Sequence, residues 1–157
     1  NTGMSRDEAV SLMGAVLPHL KRWSAVHANE MRHGKEARER YGDAAVDAAN
    51  ERLLGMSEAE WGAKETLEQA IIEQLKAAVA AGNAKGPEAA KLAQMHARWI
   101  RMQWGEGAYS TDAHVALAQS YLEDERFVDY YDSRAGEGAT AVLVAAIEAA
   151  IGESGID

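Results

Sequence analysis

Two histidines stand among large aromatic side chains in the second half of the chain. His96 and His114 lie on the predicted inner faces of two successive helices, on either side of the segment WIRMQWGEGAYS at residues 99–110. An imidazole titrates near neutral pH, so such a pair could contact a ligand or act as acid and base. A hydrogen-bonded histidine inside a core is the more common case, and we favour that interpretation for both.

A metal site has only one short motif in its favour. Glu30 and His33 have the E-x-x-H spacing that supplies a carboxylate and an imidazole to a metal in four-helix bundles. That site needs a second E-x-x-H and two more helices with carboxylates, and the chain contains no second copy. We therefore predict that Glu30 and His33 are a solvated pair and that the chain binds no metal.

The residue types of nucleophilic catalysis are largely missing. The chain has no cysteine, which excludes disulfides, thiolate metal ligands and a thiol nucleophile. Neither G-x-S-x-G nor H-E-x-x-H occurs. Gly105 and Gly107 precede a helix start, but the third glycine, the upstream strand and the lysine of a phosphate-binding loop are absent. We therefore expect a protein without a cofactor that is not an enzyme.

An aromatic and methionine cluster remains to be explained. Trp99 and Trp104 are five positions apart, which is about 140° around a helix of 3.6 residues per turn, so they cannot both face one core layer. One of the two rings should therefore line something else, such as a ligand cleft. The full cluster comprises Met95, Trp99, Met102, Trp104, Tyr109, Tyr121, Tyr130 and Tyr131.

The elements that position these residues are predicted to be helices, and no alternating strand pattern is present. Ser57 and Glu60 have the spacing of a capping box, and Met56 and Trp61 that of a hydrophobic staple. The helix that starts there should run for about 24 residues and end at Gly82. Further predicted boundaries are Pro87 and Gly105 for the next helix, Ser110 or Thr111 and then Asp124 as caps, and about 139 to 151 for the last helix.

The helical pattern weakens at the N-terminal end, where Gly14 and Pro18 interrupt an apolar segment. We predict that residues 1–35 form a partly flexible arm or linker and that residues 36–157 form an all-α domain. Residues 19–40 hold six basic and three acidic side chains, whereas the whole chain carries a net charge of −9. An acidic body argues against nucleic-acid binding by this chain alone.

Apolar runs in the sequence are short. None reaches the ~18 to 20 residues that a membrane span requires, and no signal-peptide pattern is present. We therefore expect a cytoplasmic protein that makes no membrane contact.

Five segments of the chain, in order, resemble one known family. They cover about residues 36 to 151 and are similar to the TipA-type antibiotic-recognition (TipAS) domain. The segments are ERYGDAAVDAANERL, MSEAEWGAKETLEQAIIEQLKAAVAAG, PEAAKLAQMHARWI, WGEGAYSTDAHVALAQSYLEDERFVDYYD and GATAVLVAAIEAAI. The most telling residues are Tyr41, Gly42 and Asp43, and the run of His114, Leu117, Tyr121, Asp124, Arg126, Phe127 and Tyr131.

The resemblance implies a globin-like helical fold without haem. Such domains form the C-terminal effector half of MerR-type transcriptional activators or occur alone as a short form. They bind hydrophobic, often macrocyclic antibiotics such as thiopeptides in a cleft, and an N-terminal segment that is loose without ligand orders over it. Some members capture the thiopeptide through a cysteine in the segment that corresponds to Gly105–Thr111. This chain has no cysteine there, so its binding should be reversible.

The residues and the resemblance together predict non-covalent binding of a thiopeptide-like or other hydrophobic macrocyclic antibiotic. We expect an effector domain of a MerR-type regulator that reaches DNA only through a separate N-terminal domain; the oligomeric state is left open. A free-standing, drug-sequestering resistance protein is the alternative, and a helical metabolite- or haem-binding protein or a catalytic module that uses His96 and His114 is less favoured. The predicted ligand-binding residues are Met95, Trp99, Gln103, Trp104, Tyr109 and His114, with Trp23, His27 and Met31 on the arm.

Overall fold

The computed structural model describes residues 5–152, without the side chains of residues 6–21, 32 and 33. All regular elements in this part of the chain are helical, so the predicted all-α fold is confirmed. The helices are α1 (Arg6–Tyr41), α2 (Asp43–Leu54), α3 (Glu58–Ala81), α4 (Pro87–Trp104), α5 (Thr111–Tyr121), α6 (Glu125–Ala135) and α7 (Ala139–Ile147), followed by a π-helical turn (Glu148–Gly152).

The chain divides into two compact units, residues 1–61 and 62–157. No single helix within residues 5–152 has the length and apolar character needed to cross a membrane. The division into an arm at residues 1–35 and a domain at residues 36–157 stays a prediction.

Helix α1 in the first unit is longer than its sequence pattern indicates. It continues from Arg6 to Tyr41, and neither Gly14 nor Pro18 ends it. A proline inside a helix removes one hydrogen bond and costs about 3 kcal/mol, but it leaves the remaining turns of a long helix intact.

A charged network joins α1 to α2. The Arg38 guanidinium contacts Glu30 at 2.6 Å, Asp47 at 2.7 Å and Asp43 at 3.1 Å. Between the two helices, Gly42 has a φ of +88°, a conformation that side-chain-bearing residues rarely adopt. The Tyr41-Gly42-Asp43 segment is therefore a helix-to-helix turn in which the glycine is required by geometry and the aspartate pairs with Arg38.

The start of α3 has the predicted cap. The Ser57 hydroxyl accepts from the Glu60 amide at 3.1 Å, and the Ser57 amide donates to the Glu60 carboxylate at 3.1 Å. These two bonds satisfy backbone donors that the helix itself cannot pair, which fixes where the helix begins. The helix is 24 residues long, as expected, and Gly82 follows it with a φ of +67°.

The hydrophobic core of the second unit lies between α3, α4, α5, α6 and α7. Helix α7 is apolar on most of its surface because α4, α5 and α6 all pack against it. Its buried residues include Leu143, Val144 and Ile147. Beyond Ile147 the helix widens into the π-helical turn, so the predicted helix over 139–151 is correct in extent and differs in its last turn.

Asp132 connects the end of α6 to the start of α7. Its carboxylate accepts from the amides of Gly138 at 3.0 Å and Thr140 at 2.9 Å and from the Thr140 hydroxyl at 2.8 Å. These hydrogen bonds, the Thr140 amide above all, hold the pKa of Asp132 below its ordinary value. One carboxylate therefore caps a helix from outside that helix and sets the angle of the α6–α7 connection.

Candidate ligand-binding site

The candidate site lies around the loop between α4 and α5. Helix α4 ends at Gly105, whose amide donates to the Arg101 carbonyl at 2.8 Å. Ser110 begins α5 as predicted, with its hydroxyl accepting from the Ala113 amide at 3.1 Å. Within the loop, the Tyr109 amide returns to the Gly105 carbonyl at 3.2 Å. This turn brings the Tyr109 ring back beside the last turn of α4.

The two tryptophans of α4 have different surroundings, as their spacing predicts. Trp99 packs against the hydrophobic core and donates its indole N–H to the Glu68 carboxylate at 3.1 Å. Trp104 is half-buried outside that core, and its ring centroid lies 6.4 Å from that of Tyr109. Trp104 is therefore the ring of α4 that is placed to meet something other than the core.

Arg101 covers one face of Tyr109. The centre of its guanidinium lies 4.2 Å from the ring centroid, a cation–π contact, and its Nε is 3.8 Å from Glu106. Partial burial raises the pKa of the Tyr109 hydroxyl, the positive charge of Arg101 opposes this rise and Glu106 adds to it. The phenol is therefore neutral at physiological pH and carries a cation on its ring face.

Behind Tyr109, a chain of polar side chains runs into the core. The Tyr109 hydroxyl lies 2.9 Å from Nδ1 of His114, whose Nε2 lies 2.8 Å from Nδ1 of His96. Nε2 of His96 is in turn 3.3 Å from the Tyr121 hydroxyl. Both histidines are fully buried and their rings are nearly parallel, at 8°. All four nitrogens of the pair therefore have partners inside the protein.

Burial keeps both imidazoles neutral. It lowers the pKa of His96 to about 3, with a further contribution from His114. It lowers the pKa of His114 to about 4, with a further contribution from the positive charge of Arg101. The prediction that these are hydrogen-bonded core histidines is confirmed by this geometry.

The inner end of this series of hydrogen-bonded side chains is surrounded by aromatic rings. Tyr121 packs against Phe127 and Tyr131, with ring centroids 4.7 Å and 5.6 Å away. Burial raises the pKa of the Tyr131 hydroxyl, and a hydrogen bond from Tyr121 acts in the opposite direction. Of the run from His114 to Tyr131, His114, Tyr121, Phe127 and Tyr131 are therefore connected through His96 in the core, whereas Arg126 is exposed.

The other predicted site residues of the second unit lie along α4. Met95 is half-buried and packs against the core. Gln103 is also half-buried, and its amide nitrogen lies 3.4 Å from the Trp99 carbonyl. The assignment of these residues to a ligand stays a prediction.

The predicted arm residues belong to the first unit and are described within it. Trp23, His27 and Met31 are exposed and follow one another at intervals of four residues along α1. The rings of Trp23 and His27 stack with centroids 4.8 Å apart. Met31 is 75% exposed. These side chains form an apolar stripe on one face of a helix.

Two contacts at the site were not predicted from the sequence. The Arg101–Tyr109 contact joins residues eight positions apart across a turn and has no pattern in the sequence. The pairing of Lys64 with Glu68, which in turn holds Trp99, has the i,i+4 spacing of a helix pair and could have been found.

The residues that the structure describes contain no group of three or more potential metal ligands. The His33 side chain, part of the E-x-x-H motif, lies outside the described residues.

Comparison with known proteins gives one match. The model of a family described as the TipAS antibiotic-recognition domain matches residues 33–150, well over half of the chain. No curated protein and no solved structure matches the sequence.

Proposed function

We propose, starting from the fact that this chain belongs to the TipAS antibiotic-recognition domain family, that it binds a bulky hydrophobic antibiotic reversibly. The family match over residues 33–150 is the observation that carries this proposal. The ligand class is a thiopeptide-like or other hydrophobic macrocycle. Since the sequence contains no cysteine, capture of the drug by a thiol is excluded, and we propose that binding is non-covalent and leaves the drug unmodified.

The geometry around the α4–α5 loop supports an apolar binding surface. The polar edges of two rings are turned inward, because the Trp99 N–H bonds to Glu68 and the Tyr109 hydroxyl lies at His114. The ring surfaces on which we propose that a ligand stacks are Trp104, which is half-buried outside the core, and the face of Tyr109 that Arg101 does not cover. Small-molecule sites are mostly apolar with a few well-placed polar groups, and Gln103 supplies one such group beside these rings.

The arm contributes a second apolar surface to the proposal. Trp23 is 49% exposed and Met31 75% exposed, which is unusual for side chains of this size. We propose that a ligand covers these two side chains and His27. We propose that Met95, which packs against the core on the same helix as Trp99, also contacts the ligand.

The biological role that we propose is effector sensing in a MerR-type transcriptional regulator in the cytoplasm. DNA would be contacted only by a separate N-terminal domain. The same binding would serve a free-standing protein that sequesters the drug. The coding sequence upstream distinguishes the two, since an in-frame winged helix makes the chain a sensor.

Tryptophan fluorescence tests the binding proposal. Titration with a panel of thiopeptides and other bulky hydrophobic antibiotics should give saturable quenching and a rise in melting temperature for at least one compound. Mass spectrometry should recover both drug and protein with unchanged masses. If no compound quenches the fluorescence or raises the melting temperature, the proposal is wrong.

Replacement of Trp104 tests the location of the site. Trp104→Ala should weaken binding about 10- to 100-fold, because burial of a large apolar side chain is worth roughly 1.5 to 3 kcal/mol. The helical circular dichroism should not change, since Trp104 lies outside the core. Tyr130→Ala is the control, because Tyr130 is another exposed large ring of the second unit and is not among the predicted ligand-binding residues. The control should bind normally.

A further inference from the structure

The polar chain from Tyr109 to Tyr121 is unusual because it runs through the apolar core of the second unit. His96 and His114 are fully buried, Tyr121 is 2% exposed, and Tyr109 is the one member that is half-exposed. Buried polar groups are costly unless they are hydrogen-bonded, and every ring nitrogen here has a partner. The hydrogen-bonded series of side chains therefore begins at Tyr121 in the core and ends at Tyr109 on the candidate binding surface.

The hydrogen bonds that link Tyr109, His114, His96 and Tyr121 must all have the same donor-to-acceptor direction. A neutral imidazole has one N–H donor and one bare nitrogen acceptor. If His114 donates from Nε2 to His96, then its Nδ1 accepts from Tyr109 and His96 must donate from its own Nε2 to Tyr121. If the direction is reversed, both rings carry the proton on Nδ1. In either case the two histidines have the same tautomer.

The Tyr109 ring depends on its hydrogen bond to the buried histidines for its position. The loop around it consists of the exposed residues Glu106, Gly107 and Ala108, and its turn is closed by backbone bonds of 3.2 Å to Gly105. The hydroxyl bond to His114 ties the ring to the core, while Arg101 lies over its face. The Tyr109 side chain is thus fixed at its hydroxyl by His114 and on one ring face by Arg101.

We propose that His96 and His114 are positioning residues of the ligand site, which fix the Tyr109 ring beside Trp104 through its hydroxyl. This inference rests on the proposed function for its ligand. It assigns to the two histidines neither a direct ligand contact nor an acid–base role. His114 orients a ligand only by way of Tyr109.

The first test needs no ligand. ¹⁵N NMR of histidine-labelled protein, assigned with single variants, should show His96 and His114 in the same tautomer. Tyr109→Phe removes the outer partner and should shift the His114 ring nitrogens, whereas Tyr130→Phe, a hydroxyl removed from another partly exposed tyrosine, should leave them unchanged. Opposite tautomers, or a His114 signal that Tyr109→Phe does not move, would overturn the proposal.

The second test connects the chain to the binding surface. The probe is 8-anilinonaphthalene-1-sulfonate, an aromatic dye that fluoresces on apolar protein surfaces. Tyr109→Phe and His114→Gln should each weaken its affinity about three- to tenfold, since one hydrogen bond is worth about 1 kcal/mol. The double variant should lose no more than either single variant, because both changes break the same link. Additive losses would show that His114 contacts the probe itself, and unchanged affinities would show that it positions nothing there.

Protein stability is the control for the second test. Circular dichroism and melting temperature are measured for each variant, and Tyr109→Phe, a change at a half-exposed residue, decides the outcome if His114→Gln does not fold. Because the NMR test works without a drug, a failure of positioning is distinguishable from a failure of antibiotic binding. If the protein binds no antibiotic but gives the expected NMR result, the hydrogen-bonded link is supported and the proposed function is wrong.

Discussion

Two tryptophans of α4, Trp99 and Trp104, lie in different surroundings although they are less than one and a half helical turns apart. Trp99 packs against the core and donates its indole N–H to Glu68, while Trp104 lies outside the core beside Tyr109. The sequence predicts this difference because the angle between two helix positions is fixed by the backbone. The contact of Arg101 with Tyr109 was not predictable, because it depends on how the loop folds back on α4.

The buried histidines should make stability depend on pH. The unfolded chain takes up protons on them below about pH 6.5, whereas the folded protein keeps His114 neutral to about pH 4 and His96 to about pH 3. The free energy of unfolding is therefore greatest above about pH 6.5 and falls as the pH drops toward 4, by about 1.4 kcal/mol per pH unit for each histidine.

Urea unfolding at a series of pH values measures this slope. His114→Gln should reduce the slope, because one of the two proton-binding groups is gone. A stability that stays level from neutral pH to pH 4 would contradict the assignment of both histidines as neutral.

The helices themselves show which boundaries local sequence can determine. The starts of α3, α4 and α5 were predicted correctly because their signals are local. Ser57 and Ser110 accept from amides three residues on, and Pro87 lies in the first turn, where its missing N–H leaves no hydrogen bond unmade. The length of α1 and the role of Asp132 were not predicted. A long helix through Pro18 depends on the sum of its turns, and Asp132 acts on amides six and eight residues away.

Asp132 should be a strong stability determinant of the α6–α7 connection. Asp132→Asn removes the charge from a group that accepts three hydrogen bonds and should cost about 1 to 3 kcal/mol. Because its pKa is lowered in the folded state, the contribution is present above about pH 4 and is lost as the pH falls through the folded value. Urea unfolding at neutral pH measures the loss, and Asp129→Asn on the same helix is a control that should change little.

Two glycines, Gly42 between two helices and Gly62 inside a helix, should respond to alanine in opposite directions. Gly42→Ala places a side chain at a φ of +88° and should destabilise the α1–α2 turn by about 1 kcal/mol. Gly62 lies inside α3 with open space where a methyl group would stand, so Gly62→Ala should stabilise the protein by about 0.5 to 1 kcal/mol. Thermal unfolding of both variants checks the pair, and equal signs would contradict this interpretation of the turn.

Over the whole molecule, the sequence was sufficient for the fold class and the family but not for the assembly of the site. The all-α class follows from helical periodicity and caps, and the family from the order of five segments. The link from Tyr109 through His114 to Tyr121 could not be predicted, because it joins α4, α5 and the loop between them in three dimensions.

Drug binding should have a clear calorimetric signature. A hydrophobic ligand that covers Trp104 and Tyr109 removes apolar surface from water, so the heat capacity change of binding should be strongly negative. Isothermal titration calorimetry at several temperatures measures it. Trp104→Ala should make the value less negative, and a heat capacity change near zero would contradict burial of these rings.

The exposed loop beside the candidate site also offers a single point of chemical access. Gly107 has no atom within 4 Å of where a Cβ would stand, and the chain has no native thiol. A Gly107→Cys variant would therefore carry one solvent-facing sulfur, close in sequence to Trp104 and Tyr109. A fluorophore attached there would turn the protein into an optical reporter for whatever settles on those rings.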